Sequence, residues 1–394
     1  MKNRLSVLSR TGLFAILVVF CSIAIAQDVP LNNVQEYAKR VSKIIVPDKR
    51  VDRLAVELAA YGADFVVKGE SFKAHYVQRL IDSLSATYPG VKFRNKVKLL
   101  PDSELGEKTY GLVRVSVANM RSGPKHQAEM VNQSLLGTVV RLYKEENGWL
   151  YIKNRDNYLG WITRASVVRA DSAGAAAWKS APAIICTANY GVVMPVDEKM
   201  QPGILVDLVP GARLQLVNPT EDGFVVKLPD GRVGTVLRGL GITSRELSAI
   251  EALPDNIVKD SRKFLGIPYL WGGTSSKGFD CSGFVQTVFR LNNLELPRDA
   301  SQIVNEGEPI DAGDNFENLK EGDLIFFGPR PGKTTHVAIY LGNSLYIHAS
   351  TSVQINSLDK QHDLYNDYRF RTYNEARRML NITDLNRHEK KQGI

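Results

Sequence analysis

Residues 268–284 read PYLWGGTSSKGFDCSGF, and the chain changes there from a glycine-rich loop to a helical pattern. We predict a buried helix that begins at Cys281. Its apolar side chains recur at helical spacing: Phe284, Val285, Val288 and Phe289. The unpaired N–H groups and the dipole of a helix N-terminus favour a thiolate, which acyl transfer needs. A lone cysteine is more often an inert buried thiol, and Cys186 in the apolar segment IIC fits that description.

Two downstream histidines lie in strand-like segments, His336 in HVAIYLG and His348 in LYIHAS. The intervening residues 342–344, GNS, are typical of a hairpin turn. If all three form the loop, Ala338 pairs with His348, and His336 lies diagonally opposite on the same face. One imidazole could then take the thiol proton from Cys281 while the other orients it. A one-residue slip would separate the rings, and either histidine alone could be a satisfied core residue.

The middle of the chain contains a repeat. EDGF at 221–224 echoes ENGW at 146–149, and DGRVGTV at 230–236 echoes DNYLGWI at 156–162. The matched glycines lie about 75 residues apart, and short apolar runs between turn residues surround them. We therefore predict two copies of a small β-barrel, a pattern that resembles the bacterial SH3-like domains of cell-wall enzymes.

The region ahead of the repeat predicts a small α/β unit. Helices are expected at about 32–45 and 71–84, with Ser71 as the N-cap of the second helix. Strands are expected at 51–58, 63–68 and 91–99. The sequence offers no functional residue in this unit.

The first 26 residues have the pattern of a secretory signal. Three basic residues precede an apolar run from Leu13 to Ile23, and Ala24-Ile25-Ala26 follows as a small-x-small cleavage site. The run is short for a membrane span, so we expect an exported, periplasmic protein without stable membrane insertion.

Composition and motifs argue against nucleic acid, metal and cofactor binding. The formal net charge is +8, but the basic residues are scattered, which argues against nucleic acid as a partner. The sequence contains no His-Glu-x-x-His helix and no clustered Cys and His spacing, so we expect no metal. Gly272-Gly273 does not form a dinucleotide fingerprint, and no phosphate-binding loop is present, so we expect no cofactor.

At these residues the sequence resembles the NlpC/P60 cysteine peptidases of bacterial cell walls. The similarity runs in order through PYLWGG, DCSGF, LPR, EGDLIFF and HVAIYLG to His348. It implies a papain-like α+β core in which a helix carrying Cys281 packs on an antiparallel sheet carrying His336 and His348. It also implies hydrolysis of the bond between γ-D-Glu and the diamino acid of the peptidoglycan stem peptide.

One departure from the family pattern concerns the substrate. Many members have a small hydroxyl residue after the arginine of the Pro-Arg motif, where this chain has Asp299. The similar subgroup, γ-D-glutamyl-L-diamino acid endopeptidases with two SH3-like domains, uses that aspartate to hold a free N-terminal ammonium. The expected product is then L-Ala-γ-D-Glu, released during peptidoglycan recycling. The alternative is that Asp299 caps a helix starting at Ala300.

The resemblance also suggests which residues contact the substrate. Tyr269 and Trp271 are expected at the pocket wall and its oxyanion side, and Ser282 near the glutamate carboxylate. Glu129 and Tyr158 of the first SH3-like copy are candidates for further contacts to the ammonium. The second copy has Arg232 where the first has Tyr158, which suggests that only the first copy contacts substrate.

The sequence thus predicts a multidomain α+β protein with a small N-terminal α/β unit, two SH3-like β-barrels and a C-terminal papain-like NlpC/P60 domain. The expected segments are a signal peptide 1–26, the α/β unit 27–105, SH3-like domains 106–172 and 173–245, the peptidase 246–385 and a polar tail 386–394. The expected partner of this monomeric chain is a murein peptide. Alternatives are an autolysin that cuts intact peptidoglycan and an inactive wall-binding module.

Overall fold

The structure, a computed structural model, describes residues 29–196 and 203–379. The predicted signal peptide and polar tail lie outside the described residues. Across those residues, no helix has the length and apolarity needed to cross a bilayer. The chain forms several separate sheets with helices, which confirms the multidomain α+β prediction.

The N-terminal unit is a three-stranded sheet covered by two helices. Its elements are α1 (Leu31–Ile45), β1 (Leu54–Tyr61), β2 (Asp64–Ser71), α2 (Ala74–Thr87) and β3 (Phe93–Leu99). Strands β1 and β2 form an antiparallel hairpin, and α2 crosses over so that β3 pairs parallel with β2. The prediction that Ser71 caps α2 is wrong. Strand β2 continues to Ser71, and α2 begins at Ala74 after Lys73.

The first repeat folds into a seven-stranded antiparallel sheet. Its strands are β4 (Tyr110–Val113), β5 (Val117–Arg121), β6 (Met130–Leu135), β7 (Val139–Glu146), β8 (Trp149–Lys153), β9 (Leu159–Thr163) and β10 (Val167–Ala170). The spatial order is β10-β4-β7-β8-β9-β5-β6. Apolar side chains from opposite strands, such as Met120, Leu142 and Ile162, fill its core. Helix α3 (Ser172–Ser180) follows.

The second repeat has the same strand order. Its strands are β11 (Ala183–Cys186), β12 (Gly191–Pro195), β13 (Val206–Leu208), β14 (Arg213–Pro219), β15 (Gly223–Lys227), β16 (Val233–Leu237) and β17 (Gly241–Thr243). Read from β17, the order is β17-β11-β14-β15-β16-β12-β13, so each strand takes the place of its counterpart in the first sheet. The sequence repeat therefore corresponds to a structural repeat. Helix α4 (Ser244–Ser248) ends this region.

The C-terminal part packs helices on an antiparallel six-stranded sheet. Its elements are α5 (Pro254–Arg262), β18 (Thr274–Ser275), β19 (Gly278–Phe279), α6 (Cys281–Leu291), α7 (Ala300–Ile303), β20 (Glu308–Ile310), β21 (Leu324–Phe327), β22 (His336–Gly342), β23 (Leu345–Ala349), β24 (Val353–Ser357), α8 (Asp367–Arg371) and β25 (Tyr373–Arg378). The sheet order is β20-β25-β21-β22-β23-β24. Helix α6 is buried along its whole length, and its apolar residues share one core with β21, β22 and β23.

The β22–β23 hairpin keeps the predicted register through a slightly different turn. The sequence predicts a three-residue loop, whereas Gly342 pairs with Leu345, and two residues with left-handed backbone, Asn343 and Ser344, form the turn. A bulge beside Gly342 compensates for the shorter loop. Ile339 therefore pairs with Ile347, as the expected register requires.

Gly137 lies where the two seven-stranded sheets touch. Its φ is +78°, and an added Cβ would lie 1.9 Å from the carbonyl oxygen of Arg213. The Arg213 amide donates to the Leu136 carbonyl at 2.9 Å, and Trp178 Nε1 donates to the Gly137 carbonyl at 2.8 Å. The backbone at this position is thus fixed by β14 of the second sheet and by helix α3.

We predict that Gly137→Ala lowers the thermal unfolding midpoint more than Gly148→Ala does. Both glycines have a left-handed φ, for which a side chain costs about 1–3 kcal/mol. An added Cβ meets no atom within 4 Å at Gly148, so only Gly137→Ala adds a backbone clash. Thermal melts of both variants check this, and equal midpoints would contradict it.

Candidate active site

Cys281 is the first residue of α6, as predicted, and it lines a cleft of about 210 Å³. The Asp280 carboxylate caps this helix by accepting a hydrogen bond from the Gly283 amide at 2.7 Å. Nearly all of the predicted site residues line the same cleft: Glu129, Tyr158, Tyr269, Trp271, Cys281, Ser282, Asp299 and His336. The structure thus gathers side chains from the first repeat and from the C-terminal part around one thiol.

The thiol of Cys281 is not the stabilised thiolate that a helix N-terminus alone suggests. Burial and the neighbouring Asp280 carboxylate raise its pKa to about 12, although the Val337 and Ser282 amides oppose them. Both causes disfavour the anion because a charge loses solvation there and faces a like charge. The resting side chain is therefore a neutral thiol that needs a base.

His336 and His348 form a hydrogen-bonded pair. His336 Nε2 lies 2.7 Å from His348 Nδ1, which confirms that the rings share one face of the sheet. His348 Nε2 in turn lies 2.9 Å from Asn356 Oδ1, an acceptor. His348 Nε2 must then carry the proton, so His348 Nδ1 accepts from His336 Nε2. This leaves His336 Nδ1 free of its proton and able to accept one.

The two imidazoles are neutral at neutral pH. Burial, followed by the neighbouring His348 and the Arg369 guanidinium, holds the pKa of His336 well below its usual value. Burial lowers the pKa of His348 to about 4, although its bond to Asn356 opposes the shift. His336 lines the same cleft as Cys281, and a neutral imidazole there can act as a general base.

A buried ion pair fixes the floor of the cleft. Asp280 accepts from the Gly272 amide at 3.0 Å and pairs with Arg298, whose side chain is 1% exposed. Arg298 Nη1 donates to Ser282 Oγ at 2.9 Å, and Arg298 Nε donates to Asn132 Oδ1 of β6 at 3.0 Å. The network ties α6 to the first repeat, and Ser282 is held inside it.

The first repeat forms one wall of the cleft. Trp271, 60% exposed and therefore not a core residue, donates from Nε1 to Glu129 Oε1 at 2.9 Å. Tyr158 donates from its hydroxyl to Asp299 Oδ2 at 3.2 Å. Tyr269 is half-buried beside the thiol, and burial raises its pKa to about 12, so its hydroxyl stays protonated. In the described chain, no residue of the second repeat lines the cleft.

Asp299 occupies the N-cap position of α7, and Gln302 Oε1 accepts from its amide at 3.1 Å. Its carboxylate nevertheless reaches across to Tyr158 and to Arg50, whose Nη1 lies 2.7 Å from Asp299 Oδ2. A position at the helix cap and a carboxylate directed toward the cleft are therefore compatible for Asp299.

Sequence reasoning missed Arg50 and Asn356. Arg50 belongs to the N-terminal unit and lies 249 positions from Asp299, so no local pattern connects them. Asn356 lies on β24, whose pairing with β23 places it beside His348. The contact between Asn356 and His348 follows from the pairing of β23 with β24 and not from the spacing of residues in the sequence.

A thiol at a helix start and a hydrogen-bonded pair of imidazoles are the groups that a cysteine hydrolase requires. A model of the NlpC/P60 family matches residues 266–378, and a model of the bacterial SH3 domain matches residues 116–168. A dipeptidyl-peptidase 6 from Lysinibacillus sphaericus is 33% identical over 265 residues, which cover 64% of this chain and 93% of that relative. The chain therefore belongs to the NlpC/P60 family of cysteine peptidases, whose members act on murein.

Two further similarities extend the comparison. A γ-D-glutamyl-L-lysine dipeptidyl-peptidase from Bacillus cereus is 28% identical over 245 residues, covering 59% of this chain and 71% of that protein. The crystal structure of an NlpC/P60 family protein from Bacillus cereus superposes with a TM-score of 0.62 at 24% identity. The superposition covers 69% of this chain and 100% of the Bacillus cereus chain, and it supports the fold described here.

We predict that the acid limb of kcat/KM lies below the ordinary histidine pKa of about 6.5. The base must be neutral to accept a proton, and a lowered pKa keeps it neutral as the pH falls. Arg369→Ala removes a nearby cation, so the histidine pKa should rise and the acid limb should move to higher pH. Arg371→Ala, an exposed residue of the same helix, should leave it in place. A pH profile of kcat/KM checks this, and a wild-type limb at or above the ordinary value would contradict it.

Proposed function

We propose that this chain is a cysteine peptidase that hydrolyses the γ-D-Glu–diamino acid bond of murein peptides with a free N-terminal L-Ala. The product is L-Ala-γ-D-Glu, as in peptidoglycan recycling. The observation that carries the proposal is the contact between the Tyr158 hydroxyl and the Asp299 carboxylate in the cleft of Cys281. A carboxylate there suits an ammonium, because charge-assisted hydrogen bonds are among the stronger ones in proteins.

The chemistry requires one nucleophile and one base. His336 Nδ1 takes the thiol proton as Cys281 attacks the γ-carbonyl carbon, and the relay through His348 to Asn356 stabilises the imidazolium. The C–N bond breaks as His336 returns the proton to the leaving amine. Water, activated by the same imidazole, then hydrolyses the thioester and releases the acid. We assign the protonated Tyr269 to the oxyanion side of this site.

The size of the cleft supports a short substrate. Its volume of about 210 Å³ lies below the ~300–1,000 Å³ typical of sites for drug-sized ligands. Glu129 and Asp299 supply negative charge within it, and we assign the Ser282 hydroxyl, which Arg298 holds from beneath, to the contact with a carboxylate. This distribution suits L-Ala-γ-D-Glu, with an ammonium at one end and a free α-carboxylate beside the scissile bond. Polymeric peptidoglycan, whose stem peptides begin at a sugar, offers no such ammonium.

The relatives support the same class of reaction. Their names, dipeptidyl-peptidase 6 and γ-D-glutamyl-L-lysine dipeptidyl-peptidase, describe removal of a dipeptide, and this chain covers 93% and 71% of their lengths. The shared strand order also leads us to assign residues 173–245 as a second SH3-like domain, although the SH3 model matches only the first. We further propose that residues 1–26 direct export to the periplasm, where murein peptides are released.

The test is cleavage of L-Ala-γ-D-Glu-diamino acid tripeptides, with either diaminopimelate or lysine, against their N-acetylated forms. We expect cleavage of the free-amine peptide after γ-D-Glu and its loss in Cys281→Ala. Asp299→Asn should lower kcat/KM for that peptide by roughly ten- to a hundredfold, because a hydrogen bond to a charged group is lost. The exposed Asp363→Asn serves as the matched control. Equal cleavage of both forms would indicate an autolysin, and cleavage of neither would indicate a binding role.

A further inference from the structure

The N-terminal unit reaches the cleft through one side chain. Arg50 lies on the loop between α1 and β1, outside both regions matched by family models. Its Nη1 donates to Asp299 Oδ2 at 2.7 Å and to Ser301 Oγ at 2.9 Å. Asp299 Oδ2 therefore receives two bonds, one from Arg50 and one from Tyr158 of the first SH3 domain.

Asp48 fixes the orientation of the Arg50 guanidinium. Arg50 Nε donates to Asp48 Oδ1 and Arg50 Nη2 to Asp48 Oδ2, each at 2.8 Å. This fork is a geometry that a planar guanidinium can provide and an ammonium cannot. The remaining nitrogen, Nη1, is thereby aimed at Asp299.

The loop itself is held by both neighbouring domains. The Leu159 amide donates to the Arg50 carbonyl at 2.7 Å, directly beside Tyr158. Gln302 Nε2 of α7 donates to Asp48 Oδ2 at 2.8 Å. Away from the cleft, Phe72 stacks on Tyr143 with ring centroids 3.9 Å apart, which adds a second contact between the N-terminal unit and the first SH3 domain. The loop that carries Arg50 is thus hydrogen-bonded to both of its neighbouring domains.

The charge balance leaves the site attractive to a cation. Two carboxylates, Asp48 and Asp299, share the single guanidinium of Arg50, so this cluster carries a net charge of about −1. Arg50 therefore orients Asp299 without cancelling the attraction for an ammonium. Bonds to Oδ2 from two directions fix the carboxylate in one rotamer, which reduces the entropy lost when a substrate binds.

We propose that Arg50 is a positioning residue for Asp299, and that the N-terminal unit thereby contributes to selection of substrates with a free amino terminus. This inference rests on the proposed function, in which Asp299 holds that ammonium. The alternative is that Arg50 competes with the substrate ammonium for the Asp299 carboxylate. If Arg50 competed with the substrate for Asp299, its removal would tighten binding instead of weakening it.

The experiment compares steady-state kinetics of the wild-type protein and Arg50→Ala on the free-amine tripeptide. We expect KM to rise about tenfold with kcat unchanged, since a bond that orients a binding group is lost while the Cys281 relay is intact. Arg50→Lys should give an intermediate KM, because a lysine can contact Asp299 but cannot form the fork with Asp48. If Arg50→Ala fails to fold, the KM of Arg50→Lys tests the proposal instead. Lys49→Ala removes an exposed positive charge from the same loop and should leave KM unchanged.

Asp299→Asn separates this inference from the proposed function. If Asp299→Asn raises KM but Arg50→Ala leaves it unchanged or lower, the positioning role is wrong and the proposed function stands. If Asp299→Asn has no effect, the ammonium site fails and the role of Arg50 fails with it. A positioning role also requires that Arg50→Ala adds little to Asp299→Asn in the double variant, and additive losses would overturn it.

Discussion

The buried ion pair between Asp280 and Arg298 is the interaction on which the site depends. Asp280 caps α6, which begins at Cys281, holds the Gly272 turn and neutralises an arginine that is almost fully enclosed. Arg298 then reaches Asn132 of the first SH3 domain. A buried pair of this kind adds little net stability compared with apolar packing, but losing either partner leaves an uncompensated charge. Its value here is geometric, since one network fixes the thiol, the glycine turn and the domain interface together.

The cleft is consequently a property of the assembled chain. The proposed nucleophile and its proposed base come from the NlpC/P60 domain, the Tyr158 hydroxyl and Glu129 from the first SH3 domain, and Arg50 from the N-terminal unit. The second seven-stranded sheet shares the strand order of the first but lies away from the cleft in the described chain. The second repeat has Arg232 at the position that corresponds to Tyr158 in the first, which agrees with only the first repeat lining the cleft.

Much of this arrangement follows from local sequence patterns. The DCSGF motif locates the start of α6, the hairpin register places both histidines on one face, and the repeat predicts two copies of one sheet. What local patterns cannot reveal is burial and contact between distant segments. The thiol pKa rises because Cys281 is enclosed beside Asp280, against the effect of the helix dipole. Arg50 and Asn356 become visible only once the domains and strands are arranged in space.

The most direct measurement is a crystal structure of Cys281→Ala with the L-Ala-γ-D-Glu-diamino acid tripeptide bound. We expect the substrate ammonium within hydrogen-bond distance, about 2.7–2.9 Å, of the Asp299 carboxylate, and the γ-carbonyl carbon facing position 281. Arg50 and Tyr158 should remain bonded to Asp299 in that complex. An amino terminus directed into solvent, with Asp299 still paired only to Arg50 and Tyr158, would contradict the proposed ammonium site.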